Sequence, residues 1–591
     1  MNQMNLITEQ IPELDKYNQS VILKFKDKIQ NGELQIENSR KLTNLEIFQD
    51  FKIHKLELFG CRNIVPKITS STIKELNIQD SNLQNIESIH LENLQILAVS
   101  RNKELKNCSF ERFQQLKQLD ISYTNRTDIS NLKFPQLRIL NLSKNNIKDI
   151  SSLQNLVNLE ELNLSGNKGI NISPLQHFQQ LRKLKLSYCF VKGIKVLESL
   201  TNIVELDVSG NENIDTVKYL VNLIQLNISK IDMNCIDLLQ QLNKLEELNI
   251  SNNNIADITV LIYLVNLTKL NLSETKVKNI EILLQLEHLK ELDLSENPEI
   301  DFQPLQKMVL LERLQLQCNR LNNISCLNGL INLEYLNLHS NFNLDITPLQ
   351  YFVNLINLNI SLCNISDISS LHTLVNLEVL DMSENKIYNI HHLQNLVKLT
   401  DLEISYNSVN DVQILKQFKC LRNLRLCGNK GVDITPLQYL TQLTELTLNQ
   451  CDLLEISALR PLVKLEYLEI GINKIYYFYP IRDVDAEVFA NGNLIVESSD
   501  YFTFFNVKNK SELIDEQPNN QQIVLAGKMK NIDMTTSCTR DINTRRKNHL
   551  MKKYVVKNRL VSLQQMQYEI LLSLTNKALQ LFSLLDEQEC Q

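Results

Sequence analysis

Residues 159–176 read LEELNLSGNKGINISPLQ, and far downstream residues 421–438 read LRNLRLCGNKGVDITPLQ. The two stretches share the skeleton Leu-x-x-Leu-x-Leu-x-x-Asn, followed by a second half with a Pro. The first Leu of the skeleton returns about every 22 residues along most of the chain. A pattern repeated at a fixed period predicts a stack of similar structural units rather than one isolated site.

The register of the pattern defines where each repeat starts. Clear repeats start at Leu137, Leu159, Leu181, Ile203, Leu223, Leu245, Leu267, Leu289, Leu311, Leu333, Leu355, Leu377, Leu399, Leu421, Leu443 and Leu465. Weaker copies start near Asn31, Ile53, Ile73, Leu94 and Leu116, and a decayed copy starts at Asp485. The step from Ile203 to Leu223 is 20 residues long instead of 22. The pattern therefore predicts about 20 repeats over residues 31–495.

Elementary geometry assigns roles to the residues of one repeat. In Leu-x-Leu the two leucines point to the same face of a short strand, so stacked repeats bury one continuous core. The Asn eight residues after each start is expected to satisfy the turning backbone, because its amide both donates and accepts. Cys fills this ladder position at Cys189, Cys363 and Cys451. Ladder filling is the interpretation that we favour for these thiols over a metal or redox role.

This spacing resembles the leucine-rich repeat superfamily, in particular its 22-residue class. Similar repeats occur in regulatory-subunit-like proteins of type-1 protein phosphatase and in bacterial internalins. The resemblance implies an α/β solenoid, a curved horseshoe with a parallel sheet on its concave face. Short helical or 3-10 turns are then expected on the convex side, and four of them should start at Pro174, Pro304, Pro348 and Pro436.

The sequence outside the repeats predicts a cap, a linker and a helix. Residues 1–30 are expected to form an N-terminal helical cap, and residues 31–495 the solenoid with degenerate terminal repeats. Residues 496–543 read as the rest of a C-terminal cap and a polar linker, and residues 544–591 as an amphipathic helix with a basic front end. That helix has three interpretations: packing on the solenoid, partner binding or coiled-coil self-association, and contact with lipid or nucleic acid.

Composition narrows the cellular setting. The net charge of −7 argues against nucleic-acid binding by the solenoid. The chain starts without a signal-peptide pattern and has no apolar run long enough to span a membrane. N-x-S sequons at Asn141, Asn163, Asn227, Asn249, Asn271 and Asn359 would point into the concave groove, where glycans would block it. The sequence therefore predicts a cytoplasmic protein.

Catalytic signatures are missing from the sequence. There is no phosphate-loop, dinucleotide, zinc-protease or nucleophile-elbow motif, and we expect neither a cofactor nor a metal. The adjacent His391 and His392 should point to different sides of a convex turn. The predicted function is that of a non-catalytic scaffold that binds a protein. Two alternatives follow from the resemblance: a regulatory subunit of a type-1-like phosphatase and an internalin-like surface adhesin.

The concave face is the expected binding surface. It carries the side chains two, four and six residues after each repeat start, which we call positions two, four and six. Position six is Ser in most early repeats, and this row breaks at Gln317 and His339. The candidate contacts are Arg313, Tyr335, Gln317, His339, Glu403, Arg425, Tyr467 and Glu469. An excess of acids in the first half of the face favours a partner with a basic patch.

Overall fold

The computed structural model describes residues 29–493, apart from positions 38–41, 43, 49–50, 62–63, 192–193, 213, 477, 482–483 and 485. Three predicted segments fall outside this part of the chain. They are the N-terminal cap except its last two residues, the polar linker and the C-terminal amphipathic helix. The solenoid is therefore the part that the structure describes.

Each copy of the pattern contributes one short strand. In chain order β1–β24 are Glu33–Glu37, Lys55–Phe59, Ile68–Thr69, Glu75–Gln79, Ile89–His90, Ile96–Ala98, Gln118–Asp120, Ile139–Asn141, Glu161–Asn163, Lys183–Lys185, Glu205–Asp207, Gln225–Asn227, Glu247–Asn249, Lys269–Asn271, Glu291–Asp293, Arg313–Gln315, Tyr335–Asn337, Asn357–Asn359, Val379–Asp381, Asp401–Glu403, Asn423–Arg425, Glu445–Thr447, Tyr467–Glu469 and Glu487–Phe489. Twenty-two of them form one sheet, and β3 pairs only with β5 in a small second sheet. The sheet confirms the predicted α/β solenoid.

The register of the sheet follows the sequence period. Every strand of the large sheet pairs in parallel with the next one along the chain, so Lys183 lies between Glu161 and Glu205. Across the 20-residue step Glu205 pairs with Gln225, which shows that the deletion is absorbed outside the strands. The outermost strands, β1 and β24, each begin two residues after the starts predicted at Asn31 and Asp485. The weak terminal copies are therefore genuine repeats.

The return of most repeats along the convex side runs through a short 3-10 turn. In chain order η1–η18 are Glu46–Phe48, Lys103–Asn107, Ser151–Leu153, Ser173–His177, Lys195–Ser199, Asp215–Tyr219, Asp237–Leu239, Thr259–Tyr263, Glu281–Gln285, Gln303–Lys307, Ser325–Leu327, Thr347–Tyr351, Ser369–Thr373, His391–Leu393, Gln413–Gln417, Thr435–Tyr439, Ser457–Leu459 and Tyr479–Ile481. Pro174, Pro304, Pro348 and Pro436 stand in the first turn of η4, η10, η12 and η16, as predicted. Proline is favourable there because its missing N–H has no intrahelical partner.

The core lies between the sheet and these turns. Leu162 and Leu164 of one repeat are buried from one side, and Ile172 and Leu175 close the core from the other. Because each repeat covers the apolar side of its neighbour, no repeat can bury its leucines alone. Hydrophobic stabilisation in this chain is therefore shared across every repeat boundary.

The Asn ladder forms hydrogen bonds with the backbone of the turn that follows each strand. In the opening stretch Asn167 is fully buried and its Oδ1 accepts a hydrogen bond from the Ile147 N–H, at 3.1 Å. Its Nδ2 donates to the carbonyls of Leu142 and Leu164, at 3.0 and 2.8 Å. The residue just before it, Gly166, has a positive φ of 77°. The same left-handed turn recurs one residue before the ladder position from Gly60 to Gly492.

Repeats with a Cys in the ladder depend on an unusual turn in the preceding repeat. The Cys189 Sγ donates to the Leu164 carbonyl at 3.2 Å, but a thiol cannot replace the amide oxygen as a strong acceptor. The Gly169 N–H instead donates to the backbone carbonyl of Cys189, at 2.6 Å, and Gly169 has a φ of 67°. Gly431 makes the same bond to Cys451 at 3.0 Å. This coupling accounts for the second glycine of GNKG in both stretches.

We expect Gly431→Ala to lower the free energy of unfolding by about 1 kcal/mol, because alanine disfavours a left-handed backbone. No atom lies within 4 Å of a Cβ built at Gly431, whose φ is 73°, so the cost is conformational rather than steric. Gly431→Asn is the matched control, since Asn343 adopts a φ of 61° at the same position of its repeat. Urea unfolding checks both variants. An alanine variant as stable as the asparagine variant would contradict this explanation.

Candidate protein-binding face

Positions two and four of most strands are partly exposed, while the leucine between them is buried. Position four is buried in three strands, at Asp293, Thr447 and Glu469. Position four is tied into its own strand end. The Asn163 Oδ1 accepts from the Ser165 N–H at 3.0 Å, and the Asp381 Oδ1 accepts from the Ser383 N–H at 3.0 Å. Position six is often covered as well, since Ser295 is 1% exposed. The serine row therefore belongs to the repeat template, and position two offers the most accessible side chains.

In the first half of the concave face, lysines form ion pairs with glutamates of adjacent strands. The Lys183 Nζ lies 3.2 Å from Glu161 and 3.6 Å from Glu205, and Lys185 lies 2.8 Å from Glu205. The hydrogen bond with Glu161, aided by its charge, raises the pKa of Lys183. The pairing of adjacent strands places each of these carboxylates beside a lysine one strand away.

The same arrangement recurs farther along the face. The Lys269 Nζ lies 3.5 Å from Glu247 and 3.4 Å from Glu291. Three lysines thus pair with four glutamates, while Asp207 and Asp293 add two further acids, so the acidic excess expected from the sequence is only partly compensated. A basic patch on the partner stays a prediction.

Arg313 and Tyr335 meet on adjacent strands, as their spacing predicts. They are direct register partners of β16 and β17, and the Arg313 guanidinium lies 4.2 Å from the centre of the Tyr335 ring. Arg313 also approaches Glu291, with 4.0 Å between Nε and Oε2. Its side chain remains 43% exposed. The stacked pair thus presents a charged group and an aromatic surface together.

Gln317 and His339 belong to the same two repeats as this pair and are linked to each other through Asn337, which was not among the predicted contacts. The Asn337 Nδ2 donates to the Gln317 Oε1, and its Oδ1 accepts from the His339 N–H at 3.0 Å. The His339 Nδ1 lies 2.8 Å from the Ser361 Oγ. We call Arg313, Gln317, Tyr335, Asn337 and His339 the Arg313–Tyr335 patch.

Glu403 and Arg425 are also neighbours, but the structure nearly covers both. Their side chains are 13% and 11% exposed, and the Arg425 Nε lies 3.8 Å from the Glu403 Oε2. Arg425 also contacts Glu445 at 3.3 Å. Burial and the adjacent Asp381 raise the pKa of Glu403 to about 8, against the opposing effects of Ser405 and Arg425. This pair is better placed to stabilise the sheet than to contact a partner.

Tyr467 and Glu469 lie near the last described repeat. The Tyr467 hydroxyl donates to the Glu469 Oε1, and its ring centre lies 5.3 Å from that of Phe489. The Glu469 Oε2 accepts from the Asn449 Nδ2 at 2.7 Å, and Glu469 is 3% exposed. Of these two residues only the tyrosine keeps a surface for contact.

The histidines and cysteines show no metal-binding arrangement in the described repeats. No cluster of three His, Cys, Asp or Glu side chains there could hold a metal ion. His391 and His392 lie in η14 on the convex side. None of the helices in the same part of the chain combines the length and the apolar character needed to cross a membrane.

We expect thiol labelling to separate ladder cysteines from surface cysteines. Burial raises the pKa of Cys189 to about 11 and that of Cys363 to about 12, so neither should form a reactive thiolate. Cys235 and Cys420 are exposed. Brief treatment with N-ethylmaleimide followed by peptide mass spectrometry should modify the exposed pair and spare the ladder pair until denaturant is added. Rapid native labelling of Cys363 would contradict its ladder role.

Comparison with known proteins agrees with this geometry. The family model described as Leucine Rich repeats (2 copies) matches residues 135–177 and 265–307. A search of curated proteins found no match.

Several solved structures resemble the chain at low identity. An internalin from Listeria monocytogenes is 22% identical, with 60% of this chain and 85% of that chain covered and a TM-score of 0.32. A leucine-rich repeat protein from Leptospira interrogans is 21% identical, covers 66% and 92%, and has a TM-score of 0.34. TLR13 in complex with ssRNA13 is 17% identical, covers 78% and 87%, and has a TM-score of 0.48. The matched segments contain β8, β9, β14 and β15 with their ladder positions, so the chain carries leucine-rich repeats.

Proposed function

We propose that this chain is a non-catalytic scaffold that binds another protein on its concave face, with the Arg313–Tyr335 patch at the centre of the contact. The observation that carries the proposal is the stacked and still exposed Arg313–Tyr335 pair. Arg and Tyr are enriched among the few residues that supply most of the energy of protein interfaces. The pair is held on adjacent strands, so little side-chain freedom remains to be lost on binding.

The rest of the concave face supports this choice by contrast. Lys183 and Lys269 each bridge two glutamates, and a partner would have to break those contacts to use them. Arg313 faces a single carboxylate at the distance limit of an ion pair, 4.0 Å. Its guanidinium therefore loses less when it turns towards a partner carboxylate or carbonyl.

Glu403 is the residue that could favour an enzyme instead. A carboxyl with a pKa near 8 is suited to act as a general base, which abstracts a proton from a substrate. However, its Oε1 already accepts from the Ser405 N–H at 3.0 Å, and Arg425 covers its other oxygen. A base in this position has no open path to a substrate proton, and we infer a structural role for it.

Affinity purification followed by mass spectrometry tests the proposed function. The full chain and a chain truncated after Asn506 should retain the same main protein partner, because the repeats carry the contact. A phosphatase catalytic subunit among the retained proteins would favour the regulatory-subunit alternative. A surface receptor, with the chain itself recovered outside intact cells, would favour the adhesin alternative. A partner lost on truncation, or no partner with either chain, would overturn the concave-face proposal.

We also propose that the chain works in the cytoplasm. The sequon residues Asn141 and Asn249 lie at position four, where each Oδ1 accepts from the N–H of the following Ser at 3.1 and 3.0 Å. A glycan on these amides would occupy the face that the proposal assigns to a partner. Cell fractionation combined with glycosidase treatment tests this location. A mobility shift after deglycosylation would contradict it.

A further inference from the structure

A row of basic and aromatic side chains lies outside the concave face, on the turns that follow strands β6–β12. Four cations belong to it: Arg101, Lys144, Lys168 and Lys230. Three aromatic residues stand between them: Tyr123, Tyr188 and Phe190. We call these seven residues the basic edge. The proposed concave-face function uses none of them.

Cations and rings are in contact along this edge. Tyr123 lies between two cations, with the Arg101 guanidinium 5.6 Å and the Lys144 Nζ 4.7 Å from its ring centre. The Lys168 Nζ lies 5.5 Å from the ring centre of Phe190. Lys230 reaches across an intervening repeat to within 6.0 Å of the ring centre of Tyr188. The edge thus carries three groups of cation–ring contacts along successive turns.

Two glycines allow these side chains to lie flat. A Cβ at Gly210 would stand 2.7 Å from the Tyr188 ring, and a Cβ at Gly166 would stand 2.9 Å from the Lys144 Cγ. Both contacts are too short for a real Cβ, so any other residue would push the ring or the lysine stem outward. Tyr188 and Phe190 are nevertheless 42% and 51% exposed. Their faces remain accessible to a ligand.

The four cations of the edge are not held in ion pairs by the described part of the chain. None of the four cations makes an ion pair there, although Glu104, Glu212 and Asp232 occupy the same turns. On the concave face, in contrast, Lys183, Lys185 and Lys269 are all paired with glutamates. The basic edge thus combines cations that make no ion pair there with exposed aromatic surface, which is a combination that attracts an anionic partner.

The repeat template does not account for the charge of the edge. In later repeats the position of Arg101, Lys144 and Lys230 is held by Glu274, Glu296 and Glu384, all with the same left-handed backbone. The backbone thus accepts either sign of charge at this position. The positive charge is a property of residues 101–230 and not of the fold.

We propose that the basic edge is a second binding surface and that it takes an extended acidic segment of a protein. Arg101 and Lys230 are six strand spacings apart, which corresponds to about 29 Å. An extended peptide covers this distance with about nine residues. Acidic side chains would pair with the four cations, and apolar or aromatic side chains between them would pack on Tyr188 and Phe190.

Fluorescence anisotropy with a labelled nine-residue peptide, EDYEDYEDE, tests this assignment on the full chain. The edge variant carries Arg101→Gln, Lys144→Gln, Lys168→Gln and Lys230→Gln. The matched control carries Lys195→Gln, Lys307→Gln, Lys416→Gln and Lys464→Gln, which removes the same charge from exposed positions elsewhere. We expect the control to bind like the unmodified chain and the edge variant to bind about thirtyfold more weakly. The basic residues between Arg540 and Arg559 are identical in all three proteins.

Three outcomes would overturn the proposal. Equal affinity of the two variants would show that only total charge matters. Tighter binding of the oligonucleotide (dT)9 than of the peptide would assign the edge to nucleic acid instead. Binding that does not saturate, or equally strong binding of the neutral peptide QNYQNYQNQ, would show that the edge is not a specific site. Arg313→Ala/Tyr335→Ala should leave peptide binding unchanged, so this test and that of the concave face fail independently.

Discussion

Replacing Asn341 by alanine should lower the free energy of unfolding by about 4 kcal/mol. Asn341 is fully buried, and its Oδ1 accepts from the N–H groups of Asn319 and Leu321, both at 3.0 Å. Its Nδ2 donates to the carbonyls of Leu316 and Leu338, at 3.0 and 2.8 Å. Alanine leaves buried backbone groups of two repeats without partners, at a cost of about 1–3 kcal/mol for each group that water cannot reach.

The hydrogen bonds lost in Asn341→Ala also lie inside the solenoid, where each repeat depends on its neighbours. We therefore expect guanidinium unfolding of Asn341→Ala to show two separated transitions. Cys363→Ala is the control, because the Cys363 Sγ makes only weak bonds to the Leu338 and Ser361 carbonyls at 3.2 and 3.4 Å. Cys363→Ala should lower the free energy of unfolding by about 1 kcal/mol. Equal losses in the two variants would contradict the role assigned to the ladder amide.

The second large effect is a loss of stability as the pH rises. Burial first, and then the charge of Asp381, raise the pKa of Glu403 from 4.5 to about 8 in the folded protein. Burial also raises the pKa of Asp381 itself. Between pH 4.5 and pH 8, Glu403 therefore keeps a proton in the folded state that it has released in the unfolded chain. Because the folded pKa lies above the unfolded one, stability should fall between pH 4.5 and pH 8, by a few kcal/mol.

Glu403→Gln should remove most of this dependence and stabilise the chain at pH 8 and above. The glutamine can still accept from the Ser405 N–H, so the turn is retained. Glu445→Gln is the control, because Glu445 pairs with the same Arg425 but its side chain is 43% exposed. Urea unfolding between pH 5 and pH 9 provides the measurement. A glutamine variant that keeps the pH dependence of the unmodified chain would refute the assignment to Glu403.

Leucine spacing was sufficient to predict the sheet. Because strand side chains alternate and the pattern recurs every 22 residues, the starts at Leu159 and Leu181 determine the register of Glu161 with Lys183. Even the decayed copy at Asp485 follows this rule, since Asn493 occupies its ladder position and donates to the Ile470 carbonyl at 2.8 Å. Period and alternation are local properties of the sequence, which is why they could be read without a structure.

Interactions between repeats were harder to predict. The residue before many repeat starts is an Asn that bonds to the preceding repeat. Asn332, for example, donates to the Val309 carbonyl and Asn354 to that of Ile331, both at 2.9 Å. This second asparagine row was visible in the sequence, but it was not distinguished from other exposed polar residues. The sequence also shows a Gly in the repeat before two of the Cys ladder positions, Gly169 before Cys189 and Gly431 before Cys451, but the hydrogen bond between them was not predicted.

Some of the candidate contacts could be predicted from strand register, whereas others depend on how the side chains pack. Arg313 and Tyr335 were predicted as neighbours because adjacent strands place position two side by side. The near burial of Glu403 and Arg425 was not predictable, since it depends on how side chains of neighbouring strands pack together. Asn337, which joins Gln317 to His339, was also missed because Asn is common at position four.

The most direct test of concave-face binding is the affinity of the purified partner for two double variants. Arg313→Ala/Tyr335→Ala removes the stacked pair, and Lys307→Ala/Tyr351→Ala removes an exposed basic and aromatic residue on the convex side. Calorimetry should show a loss of at least about 2 kcal/mol, or roughly thirtyfold in Kd, for the concave variant. The convex variant should bind like the unmodified chain. Equal affinity of both folded variants would contradict the account.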